Sequence, residues 1–482
     1  MDNPVLRAEV AKISAEGTWQ DGAAHLKRLV LSRGLLYTDM TEDPCKFFAA
    51  HRIIGERMLG GFGTRFTVQF NLFAGSIMGM GSAAQVQNLV ELQSTGSLGC
   101  FALTEVSAGV NSGLVVETTA MWEPDHNRFV LHTPHDGARK NWISQGLAAE
   151  FAVVIATLYV AGENKGPHAF IMRMRDTDGN LVDGVEAEDM GRKTTANELD
   201  NARLRFTNVP LPQDSLLDKY AGFDSNGHYE TRLGIKRMGI EVIGQRLLTG
   251  RLVIAQMTVD SVRLLLKHVR TYAQQRRVWS PVPDHELSLA DVPHIADLFQ
   301  RVEKDLDVQE RFTAHVEKQL SAHLRRDTLP PPWLAEAIGV AKIRGVGRAL
   351  HWFREIQAEV GSHALMAGHD HSGFLYGDIL LVTKFAEGDS RILMQKMARD
   401  RLRDFERGGW KAMLERISLD SSQRAEAALC MRIGASMARA QKKGLKAMVA
   451  AWNAEWKSVY ALAELICDRH LRESEHVGRA RL

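Results

Sequence analysis

The sequence predicts an α+β chain assembled in blocks, with helices first, a compact β domain in the middle and helices again to the end. Three changes of pattern carry that prediction. Residues 1–98 read as helices with Gly-rich breaks, in stretches such as AAHLKRLVLSRGLL and GSAAQVQNLVELQSTG. From 99 to about 215 the runs become short and β-branched. From about 228 the helical period returns and persists.

Each later block has its own signals. In the β block the runs LVVETTAMW, RFVLHT, AVVIATLYVAG, HAFIMRMRD and ARLRFTNV are set apart by turn dipeptides such as Pro124-Asp125, Asp178-Gly179 and Asp183-Gly184. That spacing fits a sandwich or a barrel. In the last block Ile235 to Val278, Leu334 to Val360 and most of 391–475 hold apolar residues at i, i+3, i+4 spacing. Gly361 to Glu387, rich in Gly, His and Asp, reads as loop plus short helix. No fixed-period repeat is present. The order is not the alternating βα pattern of a dinucleotide fold, no GxGxxG follows a strand, and there is no Walker motif. A nucleotide cofactor would be held by something other than the common Gly-rich loops.

Composition narrows the class. A chain of 482 residues, 45% hydrophobic, is long enough for two to four structural units. A net charge of +2 makes the whole chain no polyanion binder, and no nucleic-acid partner is indicated. The balance is uneven: from Arg391 onward there are 19 Lys and Arg against 11 Asp and Glu, a net of +8 that leaves −6 before it. Solvated helix faces are the ordinary source of such a surplus, with a weak attraction for phosphate-bearing ligands as the alternative. Cys45, Cys100, Cys430 and Cys467 form no CxxC pair, so neither a zinc knuckle nor a disulfide framework is indicated, which suits a reducing compartment. The opening MDNPVLRAEV has neither the order of a secretory signal nor the arginines of a transit peptide. The best apolar run, Phe151 to Ala161, is shorter than a membrane span. The expectation is a soluble intracellular protein.

At the entry to the β block, Gly99-Cys-Phe-Ala-Leu-Thr-Glu105 resembles the GC(F/Y)A-x-TE signature of acyl-CoA oxidases. Glu117-Thr-Thr-Ala120, Phe129-Val-Leu-His-Thr133, Lys140-Asn-Trp-Ile-Ser144 and His168-Ala-Phe-Ile171 follow in that family's order. So do Leu199 to Val209, Pro212 to Leu217, Thr249-Gly-Arg251, Tyr272-Ala-Gln-Gln-Arg276, Glu387-Gly-Asp389 and Leu393-Met-Gln395. The chain is thereby identified as resembling the acyl-CoA oxidase and dehydrogenase superfamily over roughly residues 45 to 400. The resemblance implies an N-terminal helical domain (1–98), a middle β domain (99–220) and a C-terminal four-helix bundle (221–405). A helical extension (406–482) completes it. FAD would lie in the cleft between domains, and the reaction would remove two hydrogens from a fatty acyl-CoA to give a trans-2-enoyl-CoA.

That reaction needs a base for the α-proton, a hydride acceptor facing Cβ, donors for the enolate-like thioester oxygen, and exclusion of water. The resemblance makes Glu387, in Phe385-Ala-Glu-Gly-Asp389, the base. Apolar surroundings should raise its pKa toward the working range; alone, it would read as a glutamate at a helix N-terminus, favoured by the dipole. Gly388 would let the backbone pass close to the thioester, and Glu387's own N–H would be an oxyanion donor. Some dehydrogenase branches place the base just before the arginine matched by Arg251, a substrate-side residue; here that position is Gly250. For FAD the resemblance implies Thr104 at the pyrimidine end, Gly109 in the phosphate turn, Trp142 on the isoalloxazine and Ser144 near its N5 edge. In isolation Trp142 would read as sandwich packing and Thr104 as an ordinary strand residue. Arg276, with Arg277 as the neighbouring register, would grip the pyrophosphate of an adjoining subunit's FAD, which implies a homodimer or a dimer of dimers. Paired arginines that simply favour a helix end are the plain alternative.

There are departures from the family pattern. The Gly-rich turn reads Thr104-Glu-Val-Ser-Ala-Gly-Val110, with Val110 in place of a serine. The CGGxG loop is reduced to Val360-Gly-Ser-His-Ala364, and Trp279-Ser280 replaces the Phe-Gly after Arg276. His363, His369, Asp370 and His371 lack any metal-ligand spacing, so no metal is expected. The motif wording favours the oxidase branch, in which O2 reoxidises the flavin and gives H2O2. A dehydrogenase passing electrons to an electron-transfer flavoprotein is the alternative, and a non-catalytic binding or assembly module is a third. Ala480-Arg481-Leu482 resembles an SKL-type peroxisomal address, so the expected location is peroxisomal in a eukaryote and cytoplasmic otherwise.

Overall fold

The computed structural model describes the chain except residues 1–2, 14–16, 58–59, 225, 233, 235–242, 245–247, 283–285, 367–376, 418–420 and 480–482. The N-terminal block contains α1 (Pro4–Val10), α2 (Trp19–Ser32), α3 (Asp39–Glu42), α4 (Pro44–Gly55), α5 (Gly60–Thr67), α6 (Ala74–Met80) and α7 (Ala83–Thr95). Local chemistry sets several ends. Thr18 with Asp21 and Ser82 with Gln85 form capping boxes at the starts of α2 and α7, and Gly96 closes α7 at φ 69°. Between α5 and α6 the chain winds as a π-helix, Val68–Phe73. Such wide turns recur at functional sites because they re-aim side chains. Here Gln69 is turned toward the β block, where its Oε1 accepts from Gly99 N (2.9 Å), and Asn71 is turned toward the C-terminal helices.

The β block has a spine and two flanks. The strands are β1 (Gly99–Ala102), β2 (Thr119–Glu123), β3 (Arg128–His132), β4 (Lys140–Ser144), β5 (Phe151–Val160), β6 (Glu163–Arg173), β7 (Val185–Asp189), β8 (Asn201–Phe206) and β9 (Val209–Pro212). β5 pairs antiparallel with β6 along one edge. Its other edge is shared by β1 and β2, both parallel to it, in the registers Gly99↔Phe151 and Thr119↔Thr157. β3 and β9 continue this sheet antiparallel, while β4, β8 and β7 form a second, antiparallel sheet. Phe129, Leu131, Ile143, Phe170, Leu204 and Phe206 are buried in the core they share. This is the α+β architecture expected from the changes of period.

One strand reading needs correction, and one strand was not read. Leu114 to Thr118 is not strand, because Glu117 and Thr118 give their N–H groups to the Glu105 carboxylate (2.7 and 3.0 Å) instead of a neighbouring strand. β7, with the acidic sequence VEAED, had no β-branched pattern to announce it.

The C-terminal helices are α8 (Leu248–Gln275), α9 (Pro293–Arg325), α10 (Pro332–Val360), α11 (Gly377–Phe385), α12 (Ser390–Ile417), α13 (Ser421–Gln441), α14 (Leu445–Ala454) and α15 (Trp456–Arg479). The helix expected over Ile235 to Val278 is described from Leu248, residues 235–242 and 245–247 lying outside the described set; it ends at Gln275, after which Arg277–Val278 is extended. α8 packs against α10, α9 and α4, and α13 to α15 pack on one another and on α12. Among the described residues no helix is long and apolar enough to cross a membrane.

Candidate active site

A cavity of about 2490 Å³ opens between the β block and the C-terminal helices. That exceeds the roughly 300–1,000 Å³ typical of a pocket for one small ligand. Thr104, Gly109, Trp142 and Ser144 lie on its β wall, and Arg251, Glu387 and Gly388 on its helical wall.

A buried ion pair builds the β wall. Lys140 and Glu105 are both fully buried and 2.8 Å apart. Lys140 Nζ also donates to the carbonyls of Leu103 (3.2 Å) and Ile155 (2.7 Å), while Glu105 takes the two backbone N–H groups of 117 and 118. A buried charge pair with this many satisfied partners fixes geometry. What it fixes is the juxtaposition of the 104–107 segment with β4, reinforced by Asn141 N to Thr104 O (2.8 Å) and Val106 N to Arg139 O (2.9 Å). The register of β4 shifts between Lys140 and Ile143, and Trp142 sits in that irregularity at φ 57° with 56% of its surface exposed. A large aromatic in the left-handed region is a strained residue of the kind that clusters at functional sites. It is not packed into the sheet core. Ser144 Oγ accepts from Asn201 Nδ2 at 3.1 Å, which orients the hydroxyl. Gly109 N donates to Ser112 Oγ at 3.0 Å, and Val110 is exposed beside it.

On the helical wall, Glu387 and Gly388 form a tight turn between α11 and α12 at φ 56° and 98°. Glycine adopts the second value freely; a glutamate adopts the first only when its surroundings hold it there. Arg251 Nε donates to the Glu387 carbonyl at 3.0 Å. Lys342 Nζ, from α10, donates to the carbonyls of Lys384 (3.0 Å) and Gly388. Asp389 completes the turn by accepting from Arg391 N (2.7 Å) and Ile392 N (3.3 Å) at the start of α12. Thus two cations from neighbouring helices hold the turn by its backbone, and among the described residues the Glu387 carboxyl has one hydrogen bond, from Asn71 Nδ2 at 3.1 Å. Loss of water is the largest influence on that carboxyl and raises its pKa to about 7, against the lowering effects of Arg251, Lys342 and Asn71. Burial, then the Arg251 charge, lowers Lys342 to about 7, and burial lowers Arg251.

Four residues around this turn had no assigned role in the sequence. Asn71 comes from the π-helical segment. Thr249 donates its hydroxyl to Asn71 Oδ1 at 2.6 Å, and Gly250 makes room: a Cβ built there would overlap the Glu387 carboxyl carbon and Asn71 Nδ2. Lys342 is the fourth, and it is fully buried. A polar residue inside an apolar run, as in RFTVQFNLF, was the one available signal for Asn71.

Arg276 is not brought to this cavity. It is exposed just past the end of α8, roughly 37 Å along the helix from Arg251 at 1.5 Å per residue. Arg277 pairs with Glu286 at 2.7 Å. His363 stacks on Tyr272 at 3.7 Å, and His369, Asp370 and His371 lie outside the described residues, as do Ala480, Arg481 and Leu482. Among the described residues no three potential metal ligands come together.

The chain is 28% identical over 386 residues to the peroxisomal acyl-coenzyme A oxidase 2 of Arabidopsis thaliana, covering 76% of this chain and 54% of that one. Over that span the chain is similar to an acyl-CoA oxidase. The acyl-CoA oxidase 1 structure of Yarrowia lipolytica superimposes with a TM-score of 0.77 at 21% identity, over 98% of this chain and 76% of that one. The Caenorhabditis elegans acyl-CoA oxidase-2 structure, bound with FAD, ascaroside-CoA and ATP, gives 0.77 at 19% identity over 99% and 76%. No family model matches the chain. It spans about half the length of the curated acyl-CoA oxidase it matches.

Proposed function

We propose that this chain catalyses the FAD-dependent α,β-dehydrogenation of a fatty acyl-CoA to the trans-2-enoyl-CoA, acting as an acyl-CoA oxidase. One observation carries the reading: a carboxyl with a pKa near 7, Glu387, on the wall of a cavity whose β wall presents the exposed, strained Trp142. A general base works best with a pKa close to the operating pH.

The cavity fits FAD by its size and by the chemistry of its β wall, where an aromatic face and the hydroxyls of Thr104 and Ser144 line the same space. Trp142 would stack on the ring system, Thr104 and Ser144 would donate to its polar edges, and the turn at Gly109 would take phosphate with Ser112 beside it. FAD, when bound, supplies the acceptor for the hydride leaving Cβ and delivers the electrons to O2, yielding H2O2. Glu387 takes the α-proton. Arg251 and Lys342 hold the turn that carries it, and Gly388 leaves the backbone open to the thioester. Because Arg276 lies away from its own chain's cavity, we assign it to the FAD of a second copy, which makes the working unit at least a homodimer. The relatives named as peroxisomal support a peroxisomal location in a eukaryotic host.

The test is the absorption of the purified protein near 450 nm, before and after anaerobic addition of acyl-CoAs of several chain lengths. Bleaching, followed by peroxide on readmission of air, is the expected result. A protein that stays colourless after incubation with FAD would overturn the reading in favour of a binding module, and bleaching without peroxide would favour a dehydrogenase.

A further inference from the structure

Asn71 is fully buried, 316 residues from Glu387 in sequence, and brought to it by the π-helical segment Val68–Phe73. Its amide is fixed at both ends. A carboxylate can only accept, so the side chain must present Nδ2 to Glu387 Oε1 (3.1 Å), and Oδ1 is then left for the Thr249 hydroxyl (2.6 Å). Gly250, next to Thr249, leaves the volume in which the amide and the carboxyl meet. A regular helical turn at 68–73 would rotate Asn71 away from this contact.

We propose that Asn71, oriented by Thr249, is a positioning residue that holds the Glu387 carboxyl in one rotamer facing the cavity and favours its ionised form. The inference rests on Glu387 acting as the base. Among the described residues, the charged groups facing Glu387 from the packed elements direct their hydrogen bonds elsewhere. Arg251 on α8 and Lys342 on α10 direct hydrogen bonds at backbone carbonyls of the 384–388 segment, and Asp389 on Glu387's own turn caps α12. The π segment contributes the uncharged Asn71, whose hydrogen bond to the carboxyl opposes the effect of burial. Removing Asn71 therefore moves the Glu387 titration upward, and the fraction of ionised base at neutral pH falls.

Two readouts test this, on the FAD-loaded enzyme and on the protein alone. The first is the pH profile of anaerobic flavin reduction by a saturating acyl-CoA. The second is infrared titration of the Glu387 carboxyl, identified by its absence in Glu387→Gln. Asn71→Ala should shift both upward by about one pH unit, a roughly tenfold loss of rate below the new midpoint that high pH recovers. Thr249→Val, which removes the hydroxyl with little change of shape, should shift both in the same direction by less, and Thr249→Ser should restore the wild-type values. The Thr249 pair keeps the question decidable if Asn71→Ala does not fold. If the midpoints of Thr249→Val and Asn71→Ala coincide with wild type in both readouts, the proposal is wrong. If acyl-CoA bleaches neither wild type nor Glu387→Gln, the functional reading fails by itself, and the infrared titration still decides whether Asn71 controls Glu387.

Discussion

Glu105 beneath the β wall of the cavity and Glu387 on its helical wall are enclosed by one fold and equipped in opposite ways. Glu105 collects Lys140 and the N–H of Thr118 on one oxygen and the N–H of Glu117 on the other. Among the described residues Glu387 collects one donor, Asn71, because the nearby cations are directed at carbonyls. Three donors replace the water that Glu105 has lost. One donor does not do so for Glu387, and its pKa rises to about 7. The difference teaches how the site is divided: hydrogen bonding is complete beneath the wall and sparse around the carboxyl proposed to take a proton.

The contrast can be broken from either side. Glu387→Gln keeps the shape and removes the proposed base, so flavin reduction should fall by about 10³- to 10⁴-fold in stopped-flow traces, with FAD still bound. Retention of more than a tenth of the rate would show that another group takes the proton. Lys140→Met leaves Glu105 buried without its counter-charge and should destabilise the protein by about 3–5 kcal/mol in chemical denaturation. Adding Glu105→Gln should restore much of that loss; an unchanged midpoint in the single variant would remove the pair from its structural role. Gly250→Ala pushes a methyl into the space of the Glu387 carboxyl, and a displacement on the order of 1 Å should lower kcat about 10²-fold. Wild-type kcat in that variant would mean that the close approach is not needed.

The smallest effect concerns stability against pH. The folded-state pKa of Glu387 stands above its ordinary 4.5, so its contribution is whole below about 4.5 and is lost as pH rises through about 7. Glu387→Gln cannot ionise. It should melt with wild type near pH 4.5 and above it at about pH 8, by about 1–3 °C for a chain of this size. A gap that widens toward acid would reverse the sign and refute the assigned cause.

Much of the fold was legible because the hydrophobic period changes twice, from 3.6 to alternation and back. The exceptions are places where side chains took over backbone duties: the N–H groups of 117 and 118, expected in a strand, go to Glu105. The cavity wall was legible in part. Thr104, Gly109, Trp142, Ser144, Arg251, Glu387 and Gly388 were named from motif wording and all border one space. Thr249 and Gly250 stood in a quoted motif with no role, and Asn71 and Lys342 were not named. Arg276 was named and does not border this cavity.

By itself the sequence carried the order of blocks, the likeness to acyl-CoA oxidases and the residue proposed as the base, because periodicity and motif wording are local properties of a chain. The tertiary structure decided what state that residue is in. Desolvation, the single Asn71 hydrogen bond and the engagement of Arg251 and Lys342 depend on distances in space between segments far apart in sequence. Which way Asn71 points depends on one wide turn of helix, whose cause no local pattern in the sequence reveals.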